Sequence, residues 1–118
     1  MTGMRLLKLA ALAAILILLV LMLGPFGAAE AKTGVSDKAA HVVAFGVITG
    51  SLAILRPRWG LWLIAGGALA IGVAVEIIQG QVGRDADIAD VIADMAGIAL
   101  ATFALMSAMA VRFRARIP

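Results

Sequence analysis

Four long apolar stretches follow one another along the chain, separated by short polar segments. They cover about residues 6–23, 38–55, 60–79 and 88–111, and proline-containing segments, Gly24-Pro25 and Arg56-Pro57-Arg58, end the first two. A helix needs about 20 residues to cross roughly 30 Å of hydrocarbon, and about 17 is the lower limit. The second stretch reaches that lower limit only if Asp37 and Lys38 form the first turn of its helix. The pattern predicts an all-α, polytopic membrane protein, a compact bundle of four transmembrane helices.

Composition supports the same class of protein. Of the 118 residues, 64% are hydrophobic and 14% are charged, and the mean hydropathy is +1.10. A soluble domain this small buries only about 60% of its chain surface, which is too little to hide so many apolar side chains. The length predicts one membrane domain over residues 1–118. The absence of Cys excludes disulfide bonds and thiolate chemistry.

Charge is distributed unevenly between the two ends of the predicted spans. One end has basic residues and no acid: Arg5, Lys8, Arg56, Arg58, Arg112, Arg114 and Arg116. The other end has all seven acids, together with Lys32, Lys38 and Arg84. The positive-inside rule places both termini in the cytoplasm. The basic residues behind the net charge of +3 are therefore interpreted as setting the orientation of the protein in the lipid bilayer. No nucleic acid partner is expected.

The first apolar stretch has a second interpretation. Arg5 and Lys8, the apolar run and then Ala29-Glu30-Ala31 are also typical of a secretory signal with its cleavage site. Cleavage would leave three spans and an outside N-terminus. The segment between Leu23 and Ala31 is long for a signal, so a retained helix is predicted.

Small residues recur at helix-packing spacing. Gly46-x-x-x-Gly50, Gly66-x-x-x-Ala70 and Ala93-x-x-x-Gly97 each form a flat ridge that allows another helix to approach closely. Packing within the bundle is the favoured interpretation, and a homo-oligomer is the alternative.

Polar residues inside the apolar stretches provide the candidate chemistry, since an ionisable side chain in lipid costs roughly 2.5–3.5 kcal/mol on insertion scales. Asp37 and His41 are four residues apart and share a helix face, so the carboxylate can fix the imidazole tautomer. The alternative is that Asp37 caps the helix and His41 is satisfied locally. Glu76 and Gln79 share a face at the end of the third span, where a hydrogen bond to a neighbouring helix is the structural alternative.

The fourth span begins with a stripe of carboxylates at Asp87, Asp90 and Asp94. The first of these suit the positive end of the helix dipole, but Asp94 lies deeper. Arg84 is the expected counter-ion, because its guanidinium can bridge two carboxylates. The ends of three helices are expected to converge on one acidic pocket, with His41 and Arg84 inside it.

Three kinds of chemistry fit such a pocket. Oxygen ligands with an imidazole could hold a divalent cation, although the spacing matches no specific metal signature and neither metal nor cofactor is predicted. Paired carboxylates with a histidine could do acid–base work on a lipid-linked substrate, for which His41, Glu76 and Asp90 are the candidates. The third interpretation is a charge-balanced network that only joins the helices.

The order of these residues resembles that of the VanZ-like family of small bacterial membrane proteins. The likeness covers about residues 35–100 and comprises Asp37-Lys38-x-x-His41-x-x-x-Phe45, Glu76-x-x-Gln79, Arg84 and Asp90-Val91-x-x-x-x-Gly97. It implies a multi-pass protein of the bacterial cytoplasmic (inner) membrane, in a family whose namesake is linked to resistance to the glycopeptide teicoplanin.

Two positions depart from the family pattern. Gly80-Gln81-Val82-Gly83 stands where an aromatic residue and Pro-Gly are frequent, and Asp94 stands where asparagine is more usual. The expected function is binding of a cell-envelope ligand or an amphiphilic antibiotic in an outward-facing pocket. A membrane-embedded enzyme acting on lipid headgroups or lipid-linked wall precursors is one alternative, and a structural or accessory subunit is the other. The predicted pocket residues are Asp37, Lys38, His41, Glu76, Gln79, Arg84, Asp90 and Asp94.

Overall fold

A computed structural model of the protein describes residues 2–25, 36–83 and 87–117. Over these ranges the chain forms four α-helices and no strand: α1 (Thr2–Leu23), α2 (Asp37–Leu55), α3 (Leu61–Gln81) and α4 (Ile88–Arg114). Each helix is long and apolar enough to cross a membrane. The prediction of an all-α membrane protein with four spans is therefore confirmed, and every helix end lies within four residues of its predicted position.

Local sequence explains where the helices begin and end. The Ser36 hydroxyl accepts a hydrogen bond from the Ala39 backbone N–H at 3.2 Å and caps α2. Asp87 Oδ1 does the same for the Ala89 N–H at 2.9 Å and caps α4. Such caps satisfy backbone donors that have no partner within the helix. Pro57 follows the end of α2, where its ring cannot continue the helix.

The helix α2 lies at the centre of the bundle. It packs most extensively against α4, and also against α1 and α3. Phe45 and Ile48 of α2 are fully buried, and they form the core with Ile15 of α1, Ala68 of α3 and Ile98 of α4. The helix α1 thus provides part of this core. Residues 29–31, where the alternative signal interpretation puts the cleavage site, lie outside the described ranges.

Gly97 allows α2 and α4 to come into backbone contact. A Cβ atom built on Gly97 would overlap the carbonyl oxygen of Val42 and would lie 3.0 Å from the Gly46 backbone nitrogen. A glycine is therefore required at this crossing. The predicted ridge containing Gly97 packs within the bundle, as does Gly46 on the opposite helix.

The two ends of the bundle differ in chemistry. The "acidic end" is formed by the first turns of α2 and α4 and the last turns of α3, where Asp37, Glu76 and Asp90 lie. The "basic end" contains the turn between α2 and α3, and there Lys8, Arg56, Arg58 and Trp59 help line a cavity of about 410 Å³. The Arg56 guanidinium lies 5.5 Å from the centre of the Trp59 ring.

Candidate functional site

The centre of the acidic end is a hydrogen-bonded pair between His41 of α2 and Asp94 of α4. His41 Nδ1 lies 2.7 Å from Asp94 Oδ1, and both side chains are buried. The predicted partner, Asp37, is also present, but its Oδ1 lies 3.8 Å from His41 Nε2. The main contact of the histidine is therefore to a residue 53 positions away rather than to the carboxylate on its own helix.

Two residues that sequence analysis did not assign to the pocket shape the space around Asp94. A Cβ atom on Gly72 would lie 2.8 Å from Asp94 Oδ2, so the absence of a side chain there makes room for the carboxylate. The ring of Phe45 is parallel to the His41 ring, within 15°, at 6.5 Å between centroids. Phe45 appeared only as part of the family likeness, and Gly72 had no signal because the contact joins two different helices.

Lys38 provides a positive charge to the acidic end. Its ammonium lies 3.4 Å from Asp87 Oδ2, to which it donates a hydrogen bond, and 3.5 Å from Asp90 Oδ1. The lysine and Asp87 are exposed, whereas the Asp90 side chain is buried. The pKa of Asp87 is lowered, because its carboxylate accepts the Ala89 N–H and faces the Lys38 ammonium.

Glu76 connects the buried interior with the exposed start of α4. Its Oε2 accepts a hydrogen bond from the Asp87 backbone N–H at 3.2 Å. Its Oε1 is buried and has no hydrogen-bond partner among the described residues. One carboxylate thus faces two environments, since one oxygen is held by the helix α4 and the other points into the bundle.

Gln79 and Arg84 complete the set of eight predicted pocket residues. Gln79 is buried, and its Nε2 donates a hydrogen bond to the Met22 carbonyl oxygen at 2.9 Å, which joins the end of α1 to the end of α3. Arg84, the predicted counter-ion, lies outside the described residues. The remaining six predicted residues, together called the polar cluster below, are Asp37, Lys38, His41, Glu76, Asp90 and Asp94.

Within the polar cluster, two overlapping triads bring their ligand atoms close enough together to hold a metal ion. His41, Glu76 and Asp94 are all buried, and each offers one ligand atom within 4.8 Å of the others. Asp37, His41 and Asp90 form the second triad under the same criterion. Because these ligands come from two or three helices, no motif in the sequence could have revealed either set.

A groove beside the polar cluster opens between α3 and α4. It has a volume of about 310 Å³ and is lined by Glu76, Ile77, Gly80, Asp87, Ile88 and Val91. The two isoleucines of its lining, Ile77 and Ile88, are exposed on the outer surface of the bundle. The groove therefore joins carboxylates to an apolar wall. No protein-family model, curated protein or solved structure matches the chain.

Proposed function

We propose that the protein is a VanZ-like protein of the bacterial cytoplasmic membrane that binds an amphiphilic cell-envelope ligand at its acidic end. The ligand's apolar part lies along α3 and α4, and its headgroup reaches Glu76 and Asp87. The observation that carries this proposal is the groove between these helices, in which two carboxylates lie beside three apolar side chains. The likeness in residue order over residues 35–100 supports the choice of family.

The charge of the groove favours a headgroup that bears an amine. Glu76 and Asp87 provide the acidic side chains of its lining, and the groove lining contains no basic residue within the described ranges. Lys38 balances part of this charge, since its ammonium lies 3.4 Å from Asp87 Oδ2. An ammonium group can donate hydrogen bonds to both carboxylates, and such charge-assisted bonds are the strong ones. Amine-bearing lipids and amine-bearing amphiphilic antibiotics share this chemistry.

The apolar wall distinguishes this site from a simple surface carboxylate pair. Ile77, Ile88 and Val91 give an acyl chain a continuous surface next to the charged groups. Burial of apolar surface contributes about 25 cal/mol per Å² in water, but a lipid-facing site gains little from it. Recognition in the membrane is therefore expected to depend mainly on the headgroup contacts and on the shape of the groove.

The proposal is tested by binding measurements on the full chain in nanodiscs. Teicoplanin and phosphatidylethanolamine are the two probes, and the N-acetylated form of each is the matched ligand control. Val91→Trp fills the groove and is expected to weaken binding by about tenfold or more, which corresponds to about 1.4 kcal/mol. Asp87→Asn is expected to reduce the preference for the free amine over the acetylated form.

Ala99→Trp provides the control variant. Ala99 lines a different, almost entirely apolar groove between the same two helices, and this groove shares no lining residue with the first. This substitution is expected to leave binding unchanged. Equal affinity of the free and acetylated probes, or equal effects of the two tryptophans, would contradict the proposal. Binding of teicoplanin alone would identify the antibiotic as the source of the amine, and binding of the lipid alone would identify the membrane.

The His41–Asp94 pair favours a second candidate function, a membrane-embedded enzyme acting on lipid headgroups or lipid-linked wall precursors. A carboxylate at 2.7 Å from one imidazole nitrogen orients the ring so that the other nitrogen can act as a base. Release of headgroup from a lipid-linked substrate by the purified protein, abolished in His41→Gln, would establish turnover. Absence of release with intact binding would leave binding as the function.

A further inference from the structure

We infer that His41, Glu76 and Asp94 bind a divalent transition-metal ion inside the bundle. The three residues come from α2, α3 and α4, and their ligand atoms lie within 4.8 Å of one another. All three side chains are buried, with 3%, 8% and 0% exposure respectively. This site shares Glu76 with the lining of the amphiphile groove, but its other two ligands lie outside that lining, and it does not depend on the function proposed above.

Two carboxylate oxygens in this triad have no hydrogen-bond partner in the described parts of the chain. They are Glu76 Oε1 and Asp94 Oδ2, and both are inaccessible to solvent. Buried polar groups in proteins are nearly always hydrogen-bonded or bound to a metal, because desolvation without a partner is costly. Two carboxyl groups from different helices, each with such an oxygen and each close to the same imidazole, indicate one cation that all three side chains coordinate.

The charge balance around the triad points to a cation. Lys38 already interacts with Asp87 and Asp90 at 3.4 Å and 3.5 Å. Among the described residues, His41 is then the remaining basic side chain of the polar cluster. A neutral imidazole with two carboxylates carries two negative charges, which a divalent ion neutralises fully. Neutralisation matters here because the medium around the bundle is apolar.

The ligand set favours zinc or manganese over calcium or magnesium. Calcium and magnesium prefer oxygen ligands alone, whereas an imidazole suits zinc and other transition metals, and carboxylates suit manganese. In the metal-bound protein His41 would bind through Nδ1, in place of the hydrogen bond that joins this atom to Asp94 Oδ1, and would carry its proton on Nε2. Asp37 Oδ1, at 3.8 Å from Nε2, then orients the ring, as carboxylates beside metal-bound histidines commonly do.

The second triad is less suited to a metal. Its Asp90 Oδ1 already lies 3.5 Å from the Lys38 ammonium, and this positive charge opposes the binding of a second cation. Asp37 is also partly exposed, so water can satisfy it. The two triads share His41 but differ in their carboxylates, and single substitutions therefore distinguish them.

The experiment measures metal content by mass spectrometry in the full chain, purified without a polyhistidine tag. About one zinc or manganese ion per chain is expected in the unsubstituted protein, as for other three-ligand sites. Glu76→Gln and Asp94→Asn are expected to lose the ion, and Asp90→Asn and Asp87→Asn to retain it. Loss in Asp90→Asn with retention in Glu76→Gln would overturn the assignment in favour of the second triad.

A second measurement uses the unsubstituted protein, so that its outcome does not depend on whether a variant folds. The unsubstituted protein is stripped with a chelator, and Zn²⁺, Mn²⁺ and Mg²⁺ are added back while thermal unfolding is followed. An upward shift of the unfolding temperature with zinc or manganese, and none with magnesium, is expected. Absence of bound metal together with absence of a shift would overturn the proposal. An Arg84→Gln variant that alone acquires metal would overturn it as well, because Arg84 would then be the native counter-ion.

Discussion

At the scale of single residues, Asp94 explains why an ionisable side chain can lie inside this bundle. Its side chain is fully buried, its Oδ1 pairs with His41, and its Oδ2 occupies the space left by the missing side chain of Gly72. Asparagine would preserve the hydrogen bond to His41 but would remove the charge.

Substitutions at Asp94 separate these two roles. Asp94→Asn retains an oxygen that accepts the His41 Nδ1 proton, whereas Asp94→Leu leaves the imidazole unpaired. An unsatisfied buried donor costs about 1–3 kcal/mol, so the leucine variant is expected to be less stable than the asparagine variant by about this amount. The measurement is thermal unfolding of both variants in detergent with excess chelator, so that metal does not contribute. Equal stability of the two variants would show that the hydrogen bond is not important for folding.

At the scale of helices, the contact between α2 and α4 determines which residues meet in the polar cluster. Gly97 lies against the backbone of Val42 and Gly46, and this contact fixes how far the two helices are shifted along each other. Asp94 is about one turn from Gly97, and His41 directly precedes Val42. The close backbone contact therefore positions the two members of the central pair.

Gly97→Ala tests this dependence. The added methyl group would overlap the Val42 carbonyl oxygen, a backbone atom that can move only with its helix. Overpacking of this kind costs about 1–3 kcal/mol, and the shift of α4 is expected to weaken the His41–Asp94 hydrogen bond as well. Thermal unfolding and the imidazole nitrogen NMR shifts of His41 provide the two measurements.

Gly50→Ala is the matched control, since a Cβ atom on Gly50 meets nothing within 4 Å. Alanine is preferred over glycine within helices by about 1 kcal/mol, so this variant is expected to be as stable as the unsubstituted protein or slightly more stable. If Gly97→Ala behaved like Gly50→Ala, the crossing of α2 and α4 would tolerate a side chain and would not determine the position of the pair.

The sequence predicted the helices better than it predicted the contacts within the site. Hydropathy is a local property, so the four spans could be read directly from runs of apolar residues. The pairing of His41 with Asp94 depends on the packing of α2 against α4, and no local spacing contains that information. Spacing on one helix suggested Asp37 as the partner instead, and the structure places that carboxylate at a longer distance.

At the scale of the whole molecule, basic and acidic residues lie at opposite ends of the bundle, and this separation predicts how the protein is oriented in the membrane. The basic end has Lys8, Arg56 and Arg58, and the acidic end has the polar cluster with Asp87. The helix α4 has 27 residues and is about 40 Å long at 1.5 Å per residue, which exceeds the hydrocarbon thickness of roughly 30 Å. Its last turn, with Arg112 and Arg114, can therefore reach the interface beyond the basic end.

The positive-inside rule predicts that the basic end faces the cytoplasm, and the lack of cysteine makes this simple to test. Pro57→Cys places one thiol in the turn at the basic end, and Val82→Cys places one on exposed backbone after α3. In intact cells a membrane-impermeant maleimide is expected to label only the Val82→Cys variant, and permeabilisation is expected to expose the other. The reverse pattern would put the polar cluster on the cytoplasmic side, where an envelope ligand in the outer leaflet could not reach it.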